Sequence, residues 1–266
     1  MLPAEELQRL DAFLVELNHA SAAAILPLFR ADHGLEDKGG AGGFDPVTMA
    51  DRGAEDAIRA LIEKHFPHHG VIGEESGEDR ADAEFVWVID PVDGTRAFIA
   101  GLPLWTTLIG LRHRGQPVLG SIGQPFLGEI YIGSPAGSRR VTAQGARPLS
   151  TRTGVALADA LIATTDPEAC FDRAEAGAWR SLRRAARLAR LGCDAYAYAM
   201  VAAGVMDLVV EASLKCWDIE SAIPLIQGAG GSVSDWTGAP VGQHGGRIVI
   251  AGDQALLDEA LVHLAI

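Results

Sequence analysis

The stretch FVWVIDPVDGT, residues 85–95, decides the fold class. Its first half is apolar and its second half carries two carboxylates, Asp90 and Asp93, which is typical of a buried strand that runs into a ligand site in an α/β sheet. Gly94 permits a tight reversal after the strand, so both carboxylates and the carbonyl oxygen of Val92 can face one point. Oxygen ligands without a nearby histidine or cysteine suit Mg²⁺ better than zinc.

The same turn predicts an anion site. Gly94 and Thr95 precede a short helical piece at residues 96–100, and the first N–H groups of a helix have no partner within it. A cage of carboxylates beside these N–H groups indicates a phosphate group bridged by metal ions. For an isolated D-x-x-D-G motif, the better interpretation would be that Asp90 and Asp93 only form a turn and cap the helix.

Further carboxylates favour the metal site over the simple turn. The segment VIGEES, residues 71–76, predicts a second short buried strand, and it ends in Glu74 and Glu75. Asp51 and Asp218 complete the set, each at or just beyond an apolar element. Carboxylates in such places are costly to desolvate unless a positive charge compensates them.

The neighbouring segments indicate both helices and an antiparallel sheet. Apolar residues at helical spacing predict an amphipathic helix over about the first thirty positions, and Thr48 is the expected N-cap of a helix at residues 50–65. Between them, the glycine-rich residues 34–45, which include Lys38, are expected to form a mobile loop. Short apolar runs within residues 106–133 predict an antiparallel meander.

From about Leu149 onward, strands and helices alternate, which predicts a second α/β half. The expected strands are residues 160–164, 206–211 and 247–251, and the expected helical segments are residues 176–187, 195–204 and 219–228. We therefore divide the chain near residue 150. Residues 1–150 would carry most of the metal ligands, and residues 151–266 would complete the active site and the substrate pocket.

Composition and charge limit the partners. The chain has 266 residues, with 22 Lys plus Arg and 35 Asp plus Glu, which gives a net charge of −13. Generic binding to nucleic acid or to anionic lipid is therefore not expected. The three cysteines contain no C-x-x-C pair, which favours neither a disulfide framework nor a zinc ribbon and fits a reducing cytoplasm. Neither an export signal nor a membrane span is visible, so we expect a soluble, cytoplasmic protein.

Other motifs have plain structural interpretations. The histidines of HFPHHG, residues 65–70, indicate a solvated turn, and His244 indicates a turn before a strand. The glycines of residues 228–231 close a helix and do not form a dinucleotide-binding loop. The arginines between residues 180 and 190 indicate a solvated helix face or a subunit contact. In a further alternative, these arginines attract a phosphorylated substrate across a dimer interface.

Four segments together resemble the motifs of the inositol-monophosphatase superfamily of metal-dependent, lithium-sensitive phosphatases. They are FDPVTMAD (44–51), GEES (73–76), WVIDPVDGT (87–95) and CWDIESAIPLIQGAGG (216–231). They occur in the family's order and extend across most of the chain. The resemblance implies an α+β fold, a layered α-β-α-β-α sandwich of the inositol-monophosphatase and fructose-1,6-bisphosphatase type, and Mg²⁺-assisted hydrolysis of a phosphomonoester. It also implies a homodimer.

The resemblance implies a role for each motif residue. The site would hold roughly two or three Mg²⁺ ions. Their ligands would be Glu74, Asp90, the Val92 carbonyl oxygen, Asp93 and Asp218. Thr95 and Asp51 would orient or deprotonate the attacking water, with Glu75 in support nearby. The N–H groups of Gly94 and Thr95 would bind the phosphate. Lys38 lies where the family's mobile loop brings a basic residue toward the site.

The expected reaction is direct hydrolysis by a metal-activated water. Phosphate monoesters hydrolyse very slowly, and paired divalent ions can activate water and stabilise the leaving oxygen. The sequence has neither the Asp-x-Asp opening of aspartyl-phosphate phosphatases nor a G-x-S-x-G nucleophile elbow. A covalent enzyme intermediate is therefore not expected.

The substrate is predicted from a finer resemblance. Residues 44–55, 93–111 and 192–215 resemble the histidinol-phosphate phosphatases of the superfamily, whereas residues 215–218, KCWD, are closer to its inositol-type members. Histidinol phosphate carries an ammonium group, which an acidic wall would bind. Glu211 and Asp194 are the candidates for that wall. Their alternative interpretations are a strand-end carboxylate and a helix N-cap, respectively.

Two classes of function follow. The first is a Mg²⁺-dependent phosphatase that acts on L-histidinol phosphate in histidine biosynthesis, with inositol monophosphate or another small sugar phosphate as the alternative substrate. The second is a catalytically silent relative that binds a phosphorylated metabolite. The metal-ligand positions and the pair Thr95 and Asp51 are all intact, which favours the enzyme.

Overall fold

The computed structural model describes residues 2–32, 34–37 and 46–265. Its helices are α1 (Ala4–Ile25), α2 (Met49–His65), α3 (Thr95–Ile99), α4 (Arg173–Ala185), α5 (Tyr196–Ala202), α6 (Cys216–Ile219), α7 (Ala222–Gly228) and α8 (Gln254–Leu264). Its strands are β1 (Glu36–Asp37), β2 (Pro46–Val47), β3 (Gly70–Gly73), β4 (Gly77–Asp79), β5 (Phe85–Asp93), β6 (Thr106–His113), β7 (Gln116–Gln124), β8 (Glu129–Ser134), β9 (Gly137–Thr142), β10 (Gly145–Pro148), β11 (Leu161–Thr164), β12 (Leu188–Leu191), β13 (Leu208–Leu214), β14 (Ser232–Ser234) and β15 (Gly246–Ala251). Lys38 and most of the expected glycine-rich loop lie outside the described residues.

Two large sheets form the framework of the described residues. The larger has eight strands in the order β10-β9-β8-β7-β6-β5-β3-β4, and its neighbours are antiparallel except for the parallel pair β3 and β5. The smaller has five strands in the order β12-β11-β13-β15-β14, in which β11 is parallel to both of its neighbours. The predicted meander within residues 106–133 is confirmed as β6, β7 and β8. The hairpin of β9 and β10 extends it further than the sequence patterns indicated.

The sheets alternate with layers of helix. Helices α1 and α2 pack on one face of the larger sheet through an apolar core that includes Leu14, Ile58 and Trp87. Helices α5 and α7 lie between the two sheets, in a core that contains Ile122 of the larger sheet and Ile250 of the smaller. Helices α4 and α8 cover the far face of the smaller sheet. This α-β-α-β-α order confirms the predicted sandwich.

Local sequence explains two element ends near the site. The Thr48 hydroxyl oxygen accepts from the Ala50 N–H at 3.1 Å, and the Asp51 carboxylate accepts from the Thr48 N–H at 2.8 Å, which confirms Thr48 as the N-cap of α2. The helix expected at residues 219–228 is confirmed as α7, but it begins at Ala222, and Ile219 instead ends α6. Pro224 is tolerated in the first turn of α7, whereas its ring would clash within a continuous helix.

The two large sheets lie on either side of the predicted division near residue 150. The larger uses residues 70–148 and the smaller uses residues 161–251. The apolar core around α5 and α7 contains side chains from both sheets. The division of the chain into an N-terminal and a C-terminal domain stays a prediction.

Candidate active site

Two parallel strands bring the predicted ligands together. Gly73 of β3 is opposite Ile89 of β5, so the residues that follow lie side by side at one edge of the sheet. The Glu74 N–H donates to the Ile89 carbonyl oxygen at 3.2 Å, which places Glu74 beside Asp90. Residues three apart on a regular strand face opposite sides, but the pairing of β5 with β6 is irregular between Asp90 and Asp93. This irregularity allows both carboxylates to face the same pocket.

Asp218 reaches the same point from α6. Its carboxylate accepts from the Lys215 N–H at 2.7 Å, which fixes the start of that helix. Carboxylate oxygens of Asp90, Asp93 and Asp218 lie within 4.8 Å of one another, close enough for one metal ion. The Asp93 carboxylate also accepts from the Ala195 N–H at 2.7 Å, which ties the larger sheet to the segment before α5. We call these three carboxylates the metal end of the pocket.

The carboxylates of the metal end destabilise one another when they are all ionised. Burial raises the pKa of Asp90 well above its ordinary value, and Glu74 and Asp93 raise it further. Burial likewise raises the pKa of Asp93, with Asp194 as the next cause. Burial also raises the pKa of Asp218, to about 6. Buried carboxylates that repel one another are stabilised by a cation, and an all-oxygen donor set fits a hard ion such as Mg²⁺.

A pocket of about 250 Å³ joins the metal end to the predicted specificity residues. The predicted residues that line it are Glu74, Asp90, Val92, Asp93, Gly94, Thr95, Asp194, Glu211 and Asp218. Asp51 and Glu75 are outside this lining. A larger cavity of about 520 Å³ lies beside α1, but its carboxylate, Asp11, is paired with Arg139. The larger of these two cavities is therefore not the one that contains the clustered carboxylates.

The turn after β5 has the backbone geometry of an anion site. Gly94 has a φ of 81°, in the left-handed region that favours glycine, and it caps α3. A Cβ atom at this position would lie 3.1 Å from Cγ of Asp194. Thr95 begins α3, so its N–H is one of the groups that an α-helix leaves without an internal partner. Both residues line the pocket beside the metal end.

The predicted water-orienting pair has other partners in this structure. The Thr95 hydroxyl donates to the Val92 carbonyl oxygen at 3.1 Å. The buried Asp51 carboxylate accepts from the Thr48 hydroxyl at 2.6 Å. Burial is the main cause that raises the pKa of Asp51; the bonds from Thr48 oppose it, and Glu75 adds to it. The joint action of Thr95 and Asp51 on a water molecule stays a prediction.

Glu211 and Asp194 add two carboxylates to the pocket, which we call its substrate end. The Glu211 carboxylate accepts from the hydroxyls of Thr164 and Thr165 at 3.0 and 2.9 Å. Burial raises the pKa of Glu211 to about 8. Burial also raises the pKa of Asp194 to about 6, against the opposing charge of Arg96. Acidic groups therefore extend from the metal end to the substrate end.

The alternative structural interpretations of these two residues are wrong. Strand β13 continues past Glu211 to Leu214, and the Glu211 side chain is buried, so it is not a carboxylate at a strand end. The N-cap of α5 is Ala195 and has no side-chain capping bond. Asp194 precedes that position with a φ of 45°, a left-handed backbone that is uncommon outside glycine.

Sequence reasoning missed several residues around the site. Thr165, Cys170, Tyr198 and Ser213 line the pocket. Thr165 directly follows β11, so the rule that ligands bind at strand ends would have found it. Cys170 and Ser213 meet only through folding, where the Ser213 hydroxyl donates to the Cys170 carbonyl oxygen at 2.8 Å. Glu55, one helical turn after Asp51 on α2, was also missed.

His69 has a structural role, and the prediction of a solvated turn is wrong for it. Its ring stacks on Phe66 and Phe85, with centroid distances of 4.6 and 4.8 Å. Its Nδ1 atom accepts from the Trp87 indole N–H at 3.1 Å. Burial lowers the pKa of His69 to about 4, so the ring is neutral at pH 7 and packs as part of the core.

The outer face of α4 carries exposed arginines. Arg180, Arg183 and Arg184 all lie on this helix and are exposed, in agreement with a solvated helix face. The prediction is wrong for Arg187, which follows the helix, and for Arg190, which lies on β12. The suggested subunit contact stays a prediction. None of the helices in the described part of the chain combines the length and the apolar character that crossing a membrane requires.

Comparison with known proteins decides the family. The model of the inositol monophosphatase family matches residues 6–265. The chain belongs to this family of metal-dependent phosphatases. The solved structure of an inositol monophosphatase from Zymomonas mobilis has a TM-score of 0.85 and 36% sequence identity, and the match covers 100% of each chain. These matches confirm the family, the layered fold and the enzyme class that the four motifs indicate.

Relatives within the family carry different names. The chain is 41% identical over 237 residues to "Bifunctional phosphatase IMPL2, chloroplastic" of Arabidopsis thaliana. This match covers 88% of this chain and 66% of the plant protein. It is 34% identical to a histidinol-phosphatase of Chlorobaculum parvum, over 73% of each protein. It is also 34% identical to an inositol-1-monophosphatase of Mesorhizobium japonicum, over 80% of each protein. Family membership therefore fixes the reaction class and leaves the substrate open.

Proposed function

We propose that this chain is a Mg²⁺-dependent histidinol-phosphate phosphatase, which converts L-histidinol phosphate and water to L-histidinol and phosphate in histidine biosynthesis. One observation carries the proposal. A single pocket contains three clustered carboxylates that suit Mg²⁺ and two further carboxylates, Glu211 and Asp194, that suit an ammonium group. The similarity to the histidinol-phosphatase of Chlorobaculum parvum supports the same substrate class.

The metal end would hold the Mg²⁺ ions. The groups that would bind them are Glu74, Asp90, the Val92 carbonyl oxygen, Asp93 and Asp218, all of which line the pocket. When bound, the ions supply an activated water and neutralise charge on the phosphoryl oxygens. The raised pKa values of Asp90 and Asp93 support this assignment, because burial and mutual repulsion both favour a compensating cation.

Other groups of the chain would orient the phosphate and the water. The N–H groups of Gly94 and Thr95 lie at the start of α3, where they can donate to phosphate oxygens. Asp51 would accept a proton from the water, since burial raises its pKa and makes it a better base. The Thr95 hydroxyl would orient the same water in place of its present bond to Val92. Glu75 would support Asp51 from nearby.

Direct attack by water is supported by the state of the cysteine in the pocket. Burial raises the pKa of the Cys170 thiol, so this group stays protonated at neutral pH and is a weak nucleophile. No covalent enzyme intermediate would be required, because bound Mg²⁺ would supply an activated water as the nucleophile.

The ammonium group of the substrate would bind at the substrate end. Two threonine hydroxyls already orient the Glu211 carboxylate. A bound cation favours the ionised form of a carboxyl group whose pKa burial has raised to about 8. We therefore infer that binding of histidinol phosphate displaces a proton from Glu211 at neutral pH.

Inositol monophosphate is the second candidate substrate, and the state of Glu211 favours it. A carboxyl group with a pKa of about 8 is mostly uncharged at neutral pH, and an uncharged carboxyl can exchange hydrogen bonds with a sugar hydroxyl. The similarity to the inositol-1-monophosphatase of Mesorhizobium japonicum supports this alternative. A cytoplasmic location and a homodimer stay predictions for either substrate.

Phosphate release from a small panel of substrates tests the proposal. The panel contains histidinol phosphate, inositol 1-phosphate, fructose 1,6-bisphosphate and adenosine 3′,5′-bisphosphate, each with Mg²⁺ and with EDTA. We expect the highest kcat/KM for histidinol phosphate and loss of all activity in EDTA. A preference for inositol 1-phosphate would overturn the substrate and keep the mechanism. Absence of Mg²⁺-dependent release from every substrate would favour a silent, metabolite-binding relative.

A further inference from the structure

Glu55 is a fully buried acidic residue that no predicted role includes. It lies on α2, one helical turn after Asp51, and its exposed fraction is 0%. A buried carboxylate is costly unless it is paired and hydrogen-bonded. The contacts of Glu55 therefore show what it stabilises.

Both carboxylate oxygens of Glu55 bind the turn that follows β3. Oε2 accepts from the Glu75 N–H at 2.9 Å, and Oε1 accepts from the Ser76 N–H at 3.0 Å. The N–H of Glu74, just before them, donates to the Ile89 carbonyl oxygen. Three successive N–H groups of this turn are thus held, one by β5 and two by Glu55.

Arg59 completes the clamp on the same turn. Its guanidinium Nε donates to Glu55 Oε1 at 2.8 Å, and its Nη2 donates to the Gly77 carbonyl oxygen. The ion pair of Glu55 and Arg59 therefore spans the turn from its N–H groups to a carbonyl group. Since α2 also carries Asp51, the helix fixes the distance between Asp51 and the turn of Glu74.

Gly73 makes room for this clamp. A Cβ atom at residue 73 would lie 2.4 Å from Glu55 Oε1, a distance that real Cβ contacts do not reach. The Glu55 carboxylate thus packs directly against the backbone of the residue before Glu74. A side chain at residue 73 would force the carboxylate away from the two N–H groups.

We propose that Glu55 is a positioning residue, which acts through the backbone of residues 74–76 to set the affinity of the site for Mg²⁺. The proposal rests on the proposed role of Glu74 as a metal ligand. Removal of a group that hydrogen-bonds to a metal ligand and orients it typically lowers metal affinity or activity by about 10- to 100-fold. Glu55 would support the backbone of Glu74 in this way, through its bonds to the two N–H groups that follow.

The variant Glu55→Gln tests the proposal. Glutamine keeps the size of the side chain, but its amide offers one acceptor oxygen where two N–H donors need two. We expect the Mg²⁺ concentration for half-saturation to rise by about tenfold or more. It is measured by calorimetric titration of Mg²⁺ without substrate, and by the Mg²⁺ dependence of p-nitrophenyl phosphate hydrolysis. At saturating Mg²⁺, kcat should recover to within about threefold of wild type.

Glu175→Gln is the matched control. Glu175 is also a buried helical glutamate, and its carboxylate accepts from a backbone N–H, that of Asp172, at 2.8 Å and from Arg247 at 2.7 Å. It lies on α4, outside the pocket lining. We expect this variant to lose thermal stability and to keep the wild-type Mg²⁺ affinity.

The outcomes separate the positioning role from the proposed function. If wild-type protein shows no Mg²⁺ binding, the metal site itself is overturned. If wild type binds Mg²⁺ and Glu55→Gln binds it equally well, only the positioning role is overturned. Should Glu55→Gln fail to fold, Arg59→Gln, which changes a residue nearer the surface, is expected to weaken Mg²⁺ binding in the same direction. Unchanged affinity in Arg59→Gln would then overturn the positioning role.

Discussion

The metal end and the substrate end of the pocket differ in what holds their carboxylates. At the metal end, Asp90, Asp93 and Asp218 each accept from a main-chain N–H. At the substrate end, Glu211 accepts from two threonine hydroxyls in addition to the main-chain N–H of Thr165. A main-chain donor is present with nearly any side chain, whereas a single substitution removes a hydroxyl. We therefore expect the metal end to depend mainly on the fold and the substrate end to depend more on individual residues. Relatives in the same family carry different substrate names.

The largest expected effect is at the metal end. We expect Asp93→Asn to lower kcat by more than about 100-fold, because loss of a metal ligand should exceed the effect of losing a group behind a ligand. The asparagine side-chain oxygen can still accept from the Ala195 N–H, so the fold should remain. Phosphate release and thermal unfolding of the same preparation check both statements.

Asp11→Asn is the control for this substitution. It removes a carboxylate that is paired with Arg139 at the edge of the larger cavity, and turnover should remain at the wild-type level. Near-normal turnover of Asp93→Asn would contradict the metal assignment.

A smaller and more selective effect is expected at the substrate end. Glu211→Ala should raise KM for histidinol phosphate by about tenfold or more, since a hydrogen bond to a charged group contributes about 1.5–3 kcal/mol. KM for p-nitrophenyl phosphate, which has no ammonium group, should change by less than about twofold. Steady-state kinetics with both substrates measure the difference. Equal increases in the two KM values would show that Glu211 does not recognise the ammonium group.

An effect of a different kind is expected on stability and follows from the raised pKa of Glu211. The pKa is about 8 in the folded protein against an ordinary value of 4.5, so the folded state binds more protons than the unfolded state between these two pH values. The contribution of Glu211 to the free energy of unfolding is therefore largest below about pH 4.5, and it decreases as the pH rises toward about 8. In EDTA, Glu211→Gln should lose less unfolding free energy than wild type between about pH 5 and about pH 8. Urea unfolding at the two pH values measures this, and parallel losses would contradict the buried state of Glu211.

The metal end could be predicted from the sequence because its ligands sit in short local motifs. Asp90, Val92 and Asp93 share one strand and turn, and Glu74 follows the neighbouring strand, so element types alone bring them together. Asp218 was included because it lies just beyond an apolar element, and the resemblance of its motif supported that choice. The layered fold was expected from the resemblance of the four motifs to the inositol-monophosphatase superfamily, and the structure confirms it.

The contacts between distant segments could not be predicted in this way. The bonds of Glu211 to Thr164 and Thr165 join two strands that are adjacent only in the folded sheet. The clamp of Glu55 depends on the absence of a side chain at Gly73 in another element. Periodicity along one segment contains no information on which segments pack together, so such contacts appear only in the structure.

A crystal structure of the protein with Mg²⁺, phosphate and L-histidinol tests the two-ended pocket most directly. We expect Mg²⁺ on the carboxylates of Asp90, Asp93 and Asp218, phosphate against the N–H groups at the start of α3, and the ammonium group within hydrogen-bond distance of Glu211 or Asp194. Mg²⁺ bound away from the three aspartates, or an ammonium group that faces solvent while phosphate occupies the site, would contradict the division of the pocket into a metal end and a substrate end.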